Sequence, residues 1–165
     1  MSVGDNQKQA DASEPTKIVI DGLDGFRALK GAKLGPTPPI TVTQAMIEQF
    51  CTSVQNEEWT HWDVERAKAS PFGATIAPGM LTPAYFPKLW FDLVDLRNID
   101  TMLLMGSDRI RLLSPLKCGS QFTMTAEIRE VEEREKGIAV HIDATFNVVG
   151  QERPVSVTNF IIRYM

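Results

Sequence analysis

Cysteine and histidine are scarce: the chain of 165 residues has two of each. Cys51, Cys118, His61 and His141 lie far apart and show no metal-ligand spacing, so no metal site is expected. The same scarcity speaks against a disulfide-stapled secreted scaffold, and two buried thiols in a reducing compartment are expected instead. A basic excess is also lacking. Lys and Arg number 17 against 21 Asp and Glu, a net charge of −4, which is the wrong sign for a partner made of phosphates. Long apolar runs are missing too: the richest, Ala84–Leu96, is interrupted by Lys88, Asp92 and Asp95. It falls short of the roughly 18 uninterrupted residues that a spanning helix needs. Residues 1–16 have no apolar core and carry acidic groups, so no signal peptide is expected. Neither a glycine-rich phosphate loop nor a Gly-x-Ser-x-Gly elbow occurs. These absences point to a soluble, cytoplasmic protein with no membrane or nucleic-acid partner.

What is present is an ordinary globular composition, 43% hydrophobic and 23% charged, long enough for one domain with a real core. Residues 1–15 are polar and read as a flexible tail, leaving 16–165 as a single domain. Lys17–Leu23 predicts a short strand or the lead-in to a helix around Leu23–Lys30. Thr43 can cap a helix ending near Ser53–Val54, with Ala45, Met46, Phe50 and Cys51 on its apolar face. Gln55–His61 reads as a loop, and Asp63–Ala67 as a short helix with an acid at its start. Ala77–Val94 is the most apolar segment and predicts one long buried helix, with Pro87 as a kink or a shift in its path.

After residue 100 the period changes to two. Met102–Met105, Asp108–Leu112, Gln121–Ile128, Ile138–Phe146 and Pro154–Ile162 read as strands. Phe122, Met124, Ala126 and Ile128 alternate with Gln121, Thr123, Thr125 and Glu127, so one face is apolar and the other polar. The links at 132–137 and 150–154 are polar turns. The expected architecture is α+β: a long central helix wrapped by a curved antiparallel sheet.

Two neighbouring segments carry a chemical pattern. The first runs Asn56-Glu57-Glu58-Trp59-Thr60-His61-Trp62-Asp63 and ends in Arg66-Ala67. The second runs Pro71-Phe72-Gly73-Ala74-Thr75-Ile76-Ala77-Pro78-Gly79-Met80-Leu81-Thr82. With Leu34-Gly35-Pro36 before them and Gly106–Gly119 after, they resemble the MaoC-like acyl-thioester dehydratases, and more narrowly the branch related to nodulation protein N. The resemblance covers about residues 34–163, and the spacing of His61, Ala67, Phe72, Gly79 and Pro115 is its specific part.

The resemblance implies a hot-dog fold, a homodimer with its active site near the subunit interface, and a hydro-lyase. Such an enzyme adds water to a 2-enoyl thioester or removes it from a 3-hydroxyacyl thioester. Coenzyme A or an acyl carrier protein would arrive as part of the substrate, with no further cofactor. The chemistry needs a base for water, an acid for the α-carbon, and donors for the thioester oxygen. Carried over by position, His61 falls on the catalytic histidine, and Gly79, followed by Met80, on the backbone donors that meet the thioester. Asn56 falls where the family has its aspartate, and Glu58 where it has an amide; Pro78 replaces a histidine. An amide has no titratable proton near neutral pH, so Asn56 can orient water but cannot deprotonate it. Three readings follow. Glu58 takes over as the carboxylate partner of His61; or the site binds thioesters for other chemistry, such as hydrolysis or isomerisation; or the chain is a silent binding or heterodimer subunit.

The remaining polar residues read as structural. His141 is expected on the solvent face of a strand, Arg109 and Arg111 in salt bridges, and Trp59 and Trp62 packed against the core or a dimer partner. Met80, Leu81, Tyr85, Phe86, Leu89 and Trp90 read first as core, with one side available to an acyl chain.

Overall fold

The structure is a computed structural model that describes residues 16–165; the expected N-terminal tail, 1–15, lies outside the described residues. In chain order the elements are β1 (Ile18–Asp21), α1 (Gly22–Ala28), β2 (Lys33–Leu34), β3 (Ile40–Thr41), α2 (Gln44–Val54), α3 (Trp59–Trp62) and α4 (Val64–Lys68). There follow α5 (Leu81–Ala84), α6 (Phe86–Leu93), β4 (Val94–Arg97), β5 (Met102–Leu112), β6 (Gln121–Glu133), β7 (Ile138–Val148) and β8 (Ser156–Tyr164).

The main sheet is antiparallel, ordered β2-β6-β7-β8-β5, with β3 also pairing β6. The expected meander is therefore β6-β7-β8 alone. The strand before it, β5, joins at the far side beside β8, and the two expected segments within β5 form one strand with bulges near Met105 and Asp108. A second, two-stranded parallel sheet of β1 and β4 was not foreseen. The alternation in β6 holds: Phe122, Met124, Ala126 and Ile128 are buried, and their neighbours are not.

The buried helix is shorter than expected and comes in two pieces. Its expected first residue, Ala77, is held in extended form, since Ile76 bridges Lys117 and the Ala77 amide donates to the Leu116 carbonyl at 2.7 Å. Proline explains the break at Tyr85. Pro87 has no N–H to give the carbonyl four residues back, so α5 closes with Tyr85 donating to Leu81 and Thr82, and Pro87 sits in the first turn of α6. From there α6 buries Phe86, Leu89, Trp90 and Leu93 against the concave face of the sheet. Phe86 packs on Phe160 with ring centres 4.1 Å apart, and stacks on Trp90 at 5.8 Å. Side chains this large, fully enclosed, each stabilise the fold by about 3–5 kcal/mol relative to alanine.

Thr43 caps α2 as expected, its hydroxyl accepting from the Met46 amide at 3.2 Å. The buried face of α2 differs from the expected one: Ile47 and Cys51 are enclosed, whereas Ala45 is exposed and Met46 and Phe50 are half-buried. Gln55 ends the helix in the left-handed region, at φ 54°, and turns the chain toward Asn56. Of the two free thiols only Cys51 is buried; Cys118 is half-buried. Among the described residues no helix is long and apolar enough to cross a membrane.

Candidate active site

The loop after α2 is built by its own polar groups. The Asn56 side-chain oxygen accepts from the Glu58 amide at 3.0 Å, and the Trp62 indole N–H donates to the Asn56 carbonyl at 2.8 Å. A backbone amide can only donate, so this bond places Oδ1 toward Glu58 and leaves the Asn56 NH2 group free to donate. The turn carries the chain into α3, a single helical turn inside the segment expected to be wholly loop. Asp63 then starts α4 by accepting from the Arg66 amide at 2.9 Å.

The two segments of the pattern lie side by side. The Ile76 amide donates to the Thr60 carbonyl at 3.0 Å. Gln44, the first residue of α2, bridges them from above: its Nε2 donates to the His61 carbonyl at 2.8 Å, and its Oε1 accepts from the Thr75 hydroxyl at 2.6 Å. Sequence reasoning missed Gln44. Its only signal was a long amide directly after a helix cap, which many helices have.

His61 is buried, and its ring Nδ1 lies 2.7 Å from the Ile76 carbonyl oxygen. A carbonyl only accepts, so the neutral ring carries its proton on Nδ1 and keeps a lone pair on Nε2. Among the described residues no group bonds Nε2. The ring stands where two clefts meet. One, of about 330 Å³, is lined by His61, Ile76–Gly79, Thr82, Leu112–Leu116 and Val155. The other, of about 320 Å³, is lined by Phe50, Val54, Asn56, His61, Pro78–Met80 and Leu112. On the floor of the first, Thr82 and Ser156 share a buried hydroxyl–hydroxyl bond of 2.8 Å.

Gly79 and Met80 are exposed at this junction. Among the described residues neither of their amides donates to a backbone carbonyl, and the first turn toward α5 is closed by the next amide, Leu81 to Pro78. Gly79 lines both clefts beside His61 and Met80 lines the second, so two adjacent amides without a backbone acceptor belong to residues of the cleft wall. Glu58 stands apart. Its side chain is exposed in the isolated chain and lines neither cleft, so this arrangement does not pair it with His61.

Other expectations change. His141 is buried, not on an open face. Its Nε2 lies 3.0 Å from Glu132, and Arg129 donates toward its Nδ1 at 3.4 Å, so long side chains of β6 cover it. Arg109 and Arg111 are exposed, and neither is in an ion pair among the described residues; Arg109 lines a separate cavity with Asp143 and Asn159. Trp59 lies under the Arg66 guanidinium, 3.8 Å from ring centre to carbon, and Trp62 is exposed. Among the described residues no three His, Cys, Asp or Glu side chains group as a metal site would need.

Comparison with known proteins adds relatives to this geometry. The family model described as MaoC like domain matches residues 26–149. The chain is 31% identical over 147 residues to 3-hydroxyacyl-thioester dehydratase Z of Mycobacterium tuberculosis, covering 88% of this chain and 97% of that protein. It is likewise 31% identical over 142 residues to Nodulation protein N of Rhizobium meliloti, covering 84% of this chain and 88% of the relative. Among solved structures, the R-hydratase PhaJ1 of Pseudomonas aeruginosa, unliganded, superposes with a TM-score of 0.68 at 18% identity over 84% of this chain and 83% of its own. The shared architecture is the hot-dog fold.

Proposed function

The chain belongs to the MaoC-like dehydratase family, and from that premise we propose the chemistry of its cleft: reversible addition of water to a 2-enoyl thioester, giving the 3-hydroxyacyl thioester. What supports this reading is the junction itself, lined by His61, whose Nε2 is bonded by no group among the described residues, and by Gly79 and Met80, whose amides there meet no backbone carbonyl.

In this proposal the thioester oxygen sits on the amides of Gly79 and Met80. The His61 Nε2 lone pair removes a proton from water as its oxygen bonds to the β-carbon. The electron pair of the double bond moves toward the thioester, and the developing enolate is held by the two amides. The imidazolium then returns the proton to the α-carbon, so atoms and charge balance with one titrating group. The NH2 group of Asn56 holds the water, or the 3-hydroxyl in the reverse direction. The carboxylate of Glu58 lies outside the clefts and is given no proton to carry. Dehydration is the same path reversed. No bound cofactor takes part; coenzyme A or a carrier protein enters as the substrate's own handle.

The homodimer belongs to the same proposal. β5 is an edge strand, paired with β8 on one side and with no strand on the other among the described residues, and it exposes Leu103, Leu104 and Met105. Such an edge is a template for pairing with a second copy. The cleft residues Leu112–Leu116 lie at its end, so pairing there would bring the partner beside the site. We place the protein in the cytoplasm, where its two unpaired thiols are stable.

Asn56 favours a second reading, a silent subunit whose partner supplies the carboxylate. One experiment separates them. The purified chain alone is given crotonyl-CoA and the loss of enoyl-thioester absorbance is followed. Hydration is expected; no turnover on this or longer enoyl esters, with binding retained, would establish the silent subunit instead.

A further inference from the structure

The two clefts share four residues: His61, Pro78, Gly79 and Leu112. Three of them are already used by the chemistry or its backbone; Leu112 is not. It is the last residue of β5 and half its surface is open, at 53%. Yet it is also the side chain that lies on Gly79. A Cβ built at Gly79 would meet Leu112 Cδ1 at 2.3 Å, and its three nearest atoms would all belong to Leu112. Gly79 is not in the left-handed region, so its lack of a side chain answers to space and not to backbone conformation.

We infer that Leu112 determines how much bulk the enzyme accepts at the α-carbon of its thioester, and so selects unbranched over α-methyl acyl groups. This rests on the reading of Gly79 as a donor to the thioester oxygen. With that oxygen about 2.9 Å from the Gly79 nitrogen, the carbonyl carbon and the α-carbon follow within two bonds. The leucine methyl stands within about 5 Å of the same nitrogen, by ordinary bond geometry from the Cβ contact. A substituent on the α-carbon and the Leu112 side chain therefore compete for the same small volume. The β-carbon and the tail beyond it leave through the clefts and are less affected.

The test compares crotonyl-CoA with its 2-methyl homologue for the parent, Leu112→Ala and Leu112→Phe, as the ratio of kcat/KM values, so that intrinsic reactivity cancels between variants. One methyl group in an apolar pocket changes such a ratio by roughly ten-fold or more. Leu112→Ala should raise the branched-to-unbranched ratio by about that factor and Leu112→Phe should lower it, while Leu112→Met, of similar volume, keeps the parent value. Dissociation constants for the saturated pair 2-methylbutyryl-CoA and butyryl-CoA read the same preference without turnover, so a slow variant is still informative. Ratios that do not move in Leu112→Ala and Leu112→Phe, by rate or by binding, overturn the inference while leaving the hydratase reading intact. A parent chain that neither binds nor turns over any of these esters overturns both.

Discussion

The ring of His61 and the backbone of Ile76 are joined by a bond of 2.7 Å from Nδ1–H to the carbonyl oxygen. It ties the two halves of the sequence pattern at the one point where the tautomer of the imidazole is decided. The bond needs no second side chain to orient the ring, a task that a carboxylate often performs. In the proposed mechanism this bond fixes the tautomer that leaves Nε2 open, without the family's aspartate.

Gln44 holds the segments that make this bond. Gln44→Ala would leave the His61 carbonyl and the Thr75 hydroxyl without their partner, in half-buried surroundings. A loss of about 1–3 kcal/mol in urea unfolding is expected. A lower kcat with little change in KM should accompany it, because the base moves while the binding surfaces stay. An unchanged kcat in a folded variant would show that the clamp has no part in positioning.

Asn56 and Glu58 can be tested against each other. Asn56→Asp keeps the side-chain oxygen that accepts from the Glu58 amide and adds a carboxylate at the cleft. It should raise kcat, by roughly ten-fold or more for a positioned second acid–base group. Glu58→Gln should leave the rate nearly as it was. The opposite pattern, a large loss in Glu58→Gln, would mean that Glu58 turns inward in the working dimer and carries a proton.

The unpaired edge of β5 is expected to hold the dimer. Leu104→Lys with Met105→Lys places two charges on exposed positions of that edge. Sedimentation of the variant should show a monomer where the parent sedimentates as a dimer, with reduced activity because the cleft adjoins the same strand. A variant that remains dimeric would move the interface elsewhere.

The two thiols should differ in reactivity. Burial pushes the Cys51 thiol up from its ordinary value, and the nearby Glu48 charge adds to the effect. A raised thiol pKa means less thiolate at a given pH, so at pH 8–9 Cys51 in the native protein should be modified more slowly than an ordinary thiol. The half-buried Cys118 should be modified first, and Cys51 only on unfolding. Mass spectrometry after brief alkylation reads the order directly.

Local patterns were legible in the sequence where local physics decides. The two-residue alternation in β6, the cap Thr43 and the acid Asp63 at the start of a short helix each depend on near neighbours, and each is legible; that Asp63 caps the helix is seen only in the structure. What was missed depends on distant parts of the chain. The pairing of β5 with β8, not β6, is a tertiary choice that strand patterns do not encode. Ala77 looks by composition like the start of the helix, but its bond to Leu116, beside the bridge of Ile76 to Lys117, holds it extended. His141 sits on the polar face as its period requires, yet charged side chains from β6 bury it. In the site, motif spacing indicated His61 and Gly79, and both line the same clefts. The direction of the Glu58 side chain and the bridge made by Gln44 follow from the path of a loop, which spacing does not convey.

The most direct measurement is the hydration rate of crotonyl-CoA by the parent and by His61→Gln, with binding of butyryl-CoA, which cannot react, measured alongside. Glutamine keeps a polar side chain of similar size but offers no titratable nitrogen. A fall in kcat of roughly 10²–10⁴-fold with the butyryl-CoA dissociation constant nearly unchanged is the expected result. Turnover by His61→Gln at the parent's rate would contradict a mechanism that runs through this imidazole.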